Sequence, residues 1–186
     1  DGQSSYFFFF FCKNIEKTLI KSECFCLSLL SNSKLTYYNF TMKNVLIISG
    51  HTNLAASVAN KTILETLNER LPEAEIVKLD ELYPDFKIDV EAEQQKLLRA
   101  DIIVLQFPLF WYSAPSILER WMEETFRHGF SHGSTGDKLK GKKLVLSFTT
   151  GAPEALYSHK GAMGYTIDEF LACYKATCRL THMEYS

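Results

Sequence analysis

Three segments carry residue types suited to chemistry. Ser49-Gly50-His51-Thr52-Asn53-Leu54-Ala55-Ala56-Ser57-Val58-Ala59-Asn60 follows a short apolar run and opens a stretch of helical periodicity. Hydroxyls, an imidazole and backbone N–H groups at a helix start suit a phosphate monoester, although helix capping accounts for Asn53 and Ser57 equally well. Gln106-Phe107-Pro108-Leu109-Phe110-Trp111-Tyr112-Ser113-Ala114-Pro115 places four aromatics after another apolar run. Such a surface at a crevice suits a planar ring whose polar edge meets backbone groups. Thr149-Thr150-Gly151-Ala152-Pro153-Glu154-Ala155-Leu156-Tyr157 adds hydroxyls, a glycine that permits close backbone approach, and a tyrosine able to donate a proton.

The elements that must position these segments are legible as alternating patterns. Val45-Leu46-Ile47-Ile48, Ile76-Val77-Lys78-Leu79, Ile102-Ile103-Val104-Leu105 and Leu144-Val145-Leu146-Ser147-Phe148 read as strands, the second near an edge. Between them lie helical stretches. One is capped at Asn53, with Leu54, Val58, Leu64, Leu67 and Leu71 at helical spacing, and is stopped by Pro72. A loop from Asp80 to Asp89 leads to a short helix around Ala92–Arg99. Pro115 suits the first turn of a helix carrying Leu118, Met122 and Phe126 at i, i+4 and i+8. Tyr165–Ala176 reads as a further helix and Cys178–Tyr185 as a fifth strand cut short, with a truncated C-terminus expected. The alternation predicts an α/β fold: a doubly wound parallel sheet of about five strands with helices on both faces. In such sheets the ligand lies beyond the carboxyl ends of the strands, where the three segments fall.

Composition excludes other classes. The chain has 186 residues, a formal net charge of −2, 46% hydrophobic and 23% charged residues, the profile of one folded domain. That balance gives no electrostatic case for a nucleic-acid partner. Five cysteines without a C-x-x-C pair make neither a disulfide framework nor a zinc module, and no metal is expected. No glycine lies between Gly50 and Gly129, so the first strand–helix turn lacks the dinucleotide fingerprint. Gly136-Asp137-Lys138-Leu139-Lys140-Gly141-Lys142 approaches a P-loop, but Lys143 replaces the hydroxyl residue and the segment precedes a strand. It reads as a solvated basic turn.

Residues 1–41 differ in kind, holding seven of the fourteen phenylalanines and three of the five cysteines (Cys12, Cys24 and Cys26). No basic region precedes Phe7–Phe11, no small-residue cleavage site follows, and Lys13, Glu16, Lys17, Lys21 and Glu23 interrupt any span of roughly 18 apolar residues. The segment reads as non-native upstream sequence with Met42 as the start; a disordered, aggregation-prone leader is the alternative. Residues 42–186 then form the working domain, with 16 basic and 19 acidic residues. Its remaining cysteines, Cys173 and Cys178, fit a reduced cytoplasmic setting.

From Met42 onward the chain resembles the flavodoxin-like NAD(P)H:quinone oxidoreductases, the DT-diaphorase group with its shorter bacterial relatives. The resemblance rests on Ser49-Gly50-His51 with Ser57-Val58-Ala59-Asn60, Leu82-Tyr83-Pro84-Asp85-Phe86 with Ile88-Asp89, Gln106 through Tyr112, and Thr149-Thr150-Gly151. It implies that His51, Ser57, Val58, Ala59 and Asn60 hold a flavin phosphate and ribityl chain. Leu109, Phe110, Trp111 and Tyr112 would pack on or bond the isoalloxazine, and Thr149, Thr150, Gly151 and Ala152 would face its polar edge. The family often carries Gly-Gly after the two threonines; here the second is Ala152. Vertebrate-type members pair a tyrosine with a histidine six residues later; Tyr157 matches, Met163 stands at the second position, and His159 lies two residues after Tyr157. The catalytic candidates are therefore Tyr157 and His159. The implied cofactor is FMN, with FAD the alternative; NAD(P)H is the co-substrate, a quinone the acceptor and a homodimer the assembly. A second reading is a flavin-binding regulatory subunit of a glutathione-gated potassium efflux transporter, which would add a membrane partner. A flavodoxin-type electron carrier is the third.

Overall fold

A computed structural model describes residues 43–186 of the chain; the expectations for residues 1–41 and for Met42 lie outside the described residues. Five strands form one parallel sheet in the order β2-β1-β3-β4-β5: β1 is Val45–Ser49, β2 Glu75–Lys78, β3 Ile102–Pro108, β4 Lys143–Thr149 and β5 Glu184–Tyr185. As expected for a strand covered on both faces, all seven residues of β3 are buried. β2 lies at the edge that its weaker apolar run implies.

Side chains alternate between the two faces. One face carries Ile47, Ile102, Val104 and Val145, covered by Ile63, Leu64 and Leu67 of α1, Val58–Arg70. The other carries Leu46, Ile48, Ile103, Leu105, Phe107, Leu144, Leu146 and Phe148. It packs on Leu97 of α3 (Val90–Arg99), on Ile117, Leu118 and Trp121 of α4 (Ser116–Thr125), and on Tyr174 and Cys178 of α6 (Ala172–Thr181). Two one-turn helices, α2 (Leu79–Leu82) and α5 (Ile167–Phe170), complete the set. Helices therefore cover both faces. Among the described residues, no helix is long and apolar enough to cross a membrane.

The structure corrects four local expectations. The helix expected from Asn53 is broken: Leu54–Ala56 is a single 3-10 turn capped by the Asn53 side chain, and α1 starts anew from Ser57. Ser57 is extended and its hydroxyl accepts the Asn60 N–H at 3.3 Å, so Val58 faces solvent rather than the core. The Asp80–Asp89 loop begins inside α2, because Leu79 is fully buried and pins that turn. Cys178–Thr181 is helix rather than strand: α6 runs until His182, which adopts a left-handed φ of 56° and caps it, leaving only two residues to β5. The basic turn is not fully solvated, since Leu139 is buried and Lys142 Nζ donates to the carbonyl oxygens of Leu98 and Ala100 at the end of α3.

Candidate functional site

The loop after β1 is held from below. Gly50 packs so closely on α4 that a Cβ there would lie 2.7 Å from Leu118 Cβ. His51 Nδ1 accepts the Asn53 N–H at 2.9 Å, which places the proton of a neutral imidazole on Nε2. Burial lowers the His51 pKa below its ordinary value, with Asp80 opposing the shift, so the neutral ring prevails at pH 7. Asp80 Oδ2 also accepts the Leu54 N–H at 2.6 Å, bracing the loop against α2.

The aromatic segment after β3 turns back sharply. Phe110 and Ser113 exchange two backbone hydrogen bonds of 3.0 Å, and between them Trp111 and Tyr112 have φ of 49° and 65°. A two-residue turn with both central φ positive favours Asn-Gly; here two bulky aromatics occupy it, a strained arrangement of the kind found at binding sites. Trp111 is 95% exposed. Tyr112 is anchored instead: its ring stacks on Phe170 at 4.7 Å and its hydroxyl donates to Met163 Sδ at 3.3 Å.

The loop after β4 completes the group. Leu109 N donates to Thr149 O at 2.7 Å, joining it to the aromatic segment, while His51 meets Phe110 edge-on at 5.8 Å. Thr150 Oγ1 donates to Ala152 O at 2.9 Å, and a Cβ on Gly151 would touch nothing within 4 Å, so that backbone faces open space. Tyr157 packs edge-on against Phe170 at 6.2 Å; burial holds its phenol pKa above the ordinary value, with a Thr150 hydrogen bond opposing. His159 is placed differently. Its side chain is 68% exposed, Nδ1 lies 3.3 Å from Gly164 O and Nε2 3.6 Å from Glu169 Oε2. Glu169 closes the capping box of α5, and the Thr166 N–H lowers its pKa. His159 therefore ties a surface loop to a helix start.

The three loops thus meet at the carboxyl end of β1, β3 and β4. Of the expected residues, His51, Ser57, Leu109, Phe110, Trp111, Tyr112 and Thr149 to Ala152 line or brace this end, with Tyr157 beside them. Val58 projects outward, 70% exposed, next to Ala59, and Asn60 is buried beneath the loops. Sequence alone marks Asp80 only as a loop start and Met163 only as the residue at the family's histidine position, and it does not mark Phe170; all three brace the loops. It also assigns no role to the Gln106 side chain, whose polar type inside an apolar strand was the visible signal. A separate groove of about 670 Å³ runs along the β2 edge, lined by residues such as Lys61, Leu64, Ile76 and Lys78, and shares only Leu54 with the first loop. A flavin mononucleotide fits the donor set at the loops. The first loop offers a neutral imidazole N–H and a hydroxyl for a phosphate, the second an exposed apolar ring for a flat heterocycle, and the third an unobstructed backbone at Gly151.

Comparison with known proteins agrees with this architecture. Residues 43–186 match the family described as flavodoxin-like fold. The uncharacterized NAD(P)H oxidoreductase YrkL of Bacillus subtilis (strain 168) is 39% identical over 144 residues, covering 77% of this chain and 82% of the relative. The glutathione-regulated potassium-efflux system ancillary protein KefF of Enterobacter sp. (strain 638) is 45% identical over 120 residues, 63% of this chain and 68% of the relative. Among solved structures, general stress protein 14 of Treponema denticola in complex with FMN aligns with a TM-score of 0.74 at 34% identity, covering 77% of this chain and 82% of that one. The NADPH-quinone reductase of P. pentosaceus aligns with a TM-score of 0.70 at 31% identity, covering 77% and 81%.

Proposed function

The chain belongs to the flavodoxin-like fold family, and on that premise we propose that it is a flavin-dependent NAD(P)H:quinone oxidoreductase. The observation that carries the reading is the convergence of three loops around the solvent-facing Trp111, on a fold shared with an NADPH-quinone reductase and an FMN-bound protein. FMN is the favoured flavin because that neighbour holds it. When bound, FMN supplies two-electron hydride transfer from NAD(P)H to a quinone. The chain's own residues do the rest. His51 Nε2–H and the Ser57 hydroxyl hold the phosphate end, helped by the start of α1. Phe110 and Trp111 cover the ring, Leu109 and Tyr112 fix the turn that presents them, and Thr149 to Ala152 meet the polar edge. Tyr157, whose phenol is protonated at neutral pH and which burial holds further from ionisation, donates a hydrogen bond or proton where negative charge develops. His159 serves by holding the Gly164 turn in place. We read the working domain as 42–186, acting as a homodimer in the cytoplasm.

The test is purified protein with added FMN. Rapid menadione-dependent NAD(P)H oxidation with ping-pong kinetics is expected, since donor and acceptor would use one site in turn. FMN retained without quinone-dependent turnover would overturn the enzyme reading. It would favour the second one, a flavin-stabilised regulatory partner of a potassium efflux transporter, which the similarity to KefF supports. Size-exclusion chromatography with light scattering tests the dimer, and N-terminal mass spectrometry of the native protein tests the start at Met42.

A further inference from the structure

The face of the sheet under α1 changes character at its carboxyl end. Below, it is Ile47, Ile102, Val104 and Val145; in the next row Ser49, Gln106 and Ser147 lie side by side in register across β1, β3 and β4. All three are buried, Gln106 completely. A polar row inside a core costs stability unless it is hydrogen-bonded, and here Ser49 Oγ and Gln106 Oε1 have no partner among the described residues. The bonds that do form converge on Asn60, itself 3% exposed. Gln106 Nε2 donates to Asn60 Oδ1 at 2.6 Å, and Thr149 Oγ1 donates to the same oxygen at 3.3 Å. Asn60 Nδ2 donates to Ser57 Oγ at 3.0 Å, and the Asn60 backbone N–H donates to Ser57 Oγ at 3.3 Å.

These bonds fix more than distances. Ser57 Oγ receives two donors, so both its lone pairs are engaged and its own proton is left to point out of the network. Thr149 gives its proton inward, so what it keeps for the outside is acceptor capacity. The two hydroxyls belong to different loops, yet one amide determines that the first donates and the second accepts. An asparagine amide can exchange its oxygen and nitrogen with little change of shape. The Gln106 N–H, offered from a fully buried strand, holds the oxygen toward the sheet.

We propose that Gln106 is a positioning residue that, through Asn60, sets the hydrogen-bonding polarity of the cofactor site: a donor at Ser57 for the phosphate or ribityl oxygens, an acceptor at Thr149 for a ring N–H. This inference rests on the flavin reading above. It predicts that inverting one buried polarity weakens FMN binding without touching a group that contacts FMN.

The experiment is fluorescence titration of FMN into the apoprotein, with thermal unfolding followed in parallel. Gln106→Glu is nearly isosteric, and once its buried carboxyl is ionised at alkaline pH it presents only acceptors, so Asn60 turns its nitrogen to the strand and draws the Ser57 proton inward. The FMN Kd is expected to rise about tenfold over wild type at about pH 9, and less at about pH 6, where burial keeps the carboxyl protonated and still able to donate. Gln106→Leu removes the constraint without inverting it, and a rise of roughly threefold is expected. Ser57→Ala removes the cap of α1 at a partly exposed position, which lowers the unfolding midpoint modestly, and is expected to raise the Kd about tenfold by itself. Adding Gln106→Glu to Ser57→Ala should then cost less than the two single losses added, because both act on the Ser57 hydroxyl and only the Thr149 part of the inversion remains. A lowered unfolding midpoint with a Kd unchanged from wild type in Gln106→Glu at about pH 9 would show a structural role only and overturn the proposal. So would an unchanged Kd in Ser57→Ala, a result that overturns the proposal even if the Gln106 variants fail to fold, and so would fully additive losses in the double variant. Wild-type protein that binds no FMN fails differently: it removes the flavin reading itself, and this inference with it.

Discussion

Among the described residues, two buried polar clusters lie on opposite faces of the sheet, and they are built to opposite plans. On the α4 side Glu93 is fully buried, and its carboxylate accepts from Tyr83 Oη at 2.8 Å, Trp121 Nε1 at 2.9 Å and Lys96 Nζ at 2.5 Å. Each donor comes from a different place: the end of α2, the middle of α4 and one turn along α3. This cluster is closed, with no unpartnered atom among its groups. On the α1 side the Asn60–Gln106 cluster leaves Ser49 Oγ and Gln106 Oε1 unpaired among the described residues and ends in two hydroxyls at the site. The first plan converts burial into rigidity; the second accepts unsatisfied groups in exchange for control of what the surface presents. The contrast separates residues that keep the fold from residues that shape the chemistry.

That separation can be broken experimentally, and the largest effect belongs to the closed cluster. Glu93→Ala strips two buried donors, Tyr83 and Trp121, and the partly exposed Lys96 of their acceptor and is expected to cost about 3 kcal/mol or more of unfolding free energy. Urea denaturation checks this, and the protein that stays folded should bind FMN as the wild type does. Tyr157→Phe is the opposite case: menadione turnover is expected to fall roughly a hundredfold, with FMN affinity and unfolding midpoint unchanged. Steady-state kinetics beside FMN titration decides it. Trp111→Ala should raise the FMN Kd about tenfold and leave the apoprotein's unfolding unaltered, because a ring 95% exposed supports no core; a drop in apoprotein stability would blur the contrast. The smallest effect is a pH dependence on the open side. His51 has a folded pKa below its ordinary 6.5, so the unfolded chain binds the proton more readily. Its contribution to stability is present above that value and is lost as pH falls through it. The unfolding midpoint should therefore decline from about pH 7.5 to about pH 5.5, and His51→Gln should flatten part of that decline.

Much of this was legible in the sequence where the signal is local. Four apolar runs gave strands, and the aromatics from Phe107 to Tyr112 marked the carboxyl end of a central one. What escaped was decided over long separations. Gln106 and Asn60 are 46 residues apart and Asn60 and Thr149 are 89 apart, so no periodicity relates them. Glu93 reads as one of several solvated charges on a short helix until Tyr83 and Trp121 are seen to converge on it. Periodicity also ran Leu54 and Val58 into one helix, because the break depends on the Asn53 side chain closing its own turn. The same limit applies to α6: Cys178 and Met183 are both buried, which an apolar pattern reads as strand, while the turn at His182 separates them.

The missing Cβ at Gly50 has a wider consequence. Leu118, which it meets, lies three residues beyond Pro115, so the helix pressing on the first loop is the one that anchors the aromatic turn. A single added methyl group would have to push α4 outward and carry Phe110 and Trp111 with it. The spacing between the two walls of the site is therefore gauged by one atom that the chain does not have. Change at this position is confined to what the whole aromatic wall can follow, which makes it the narrowest passage through which the site could be remodelled for a thicker or thinner ligand.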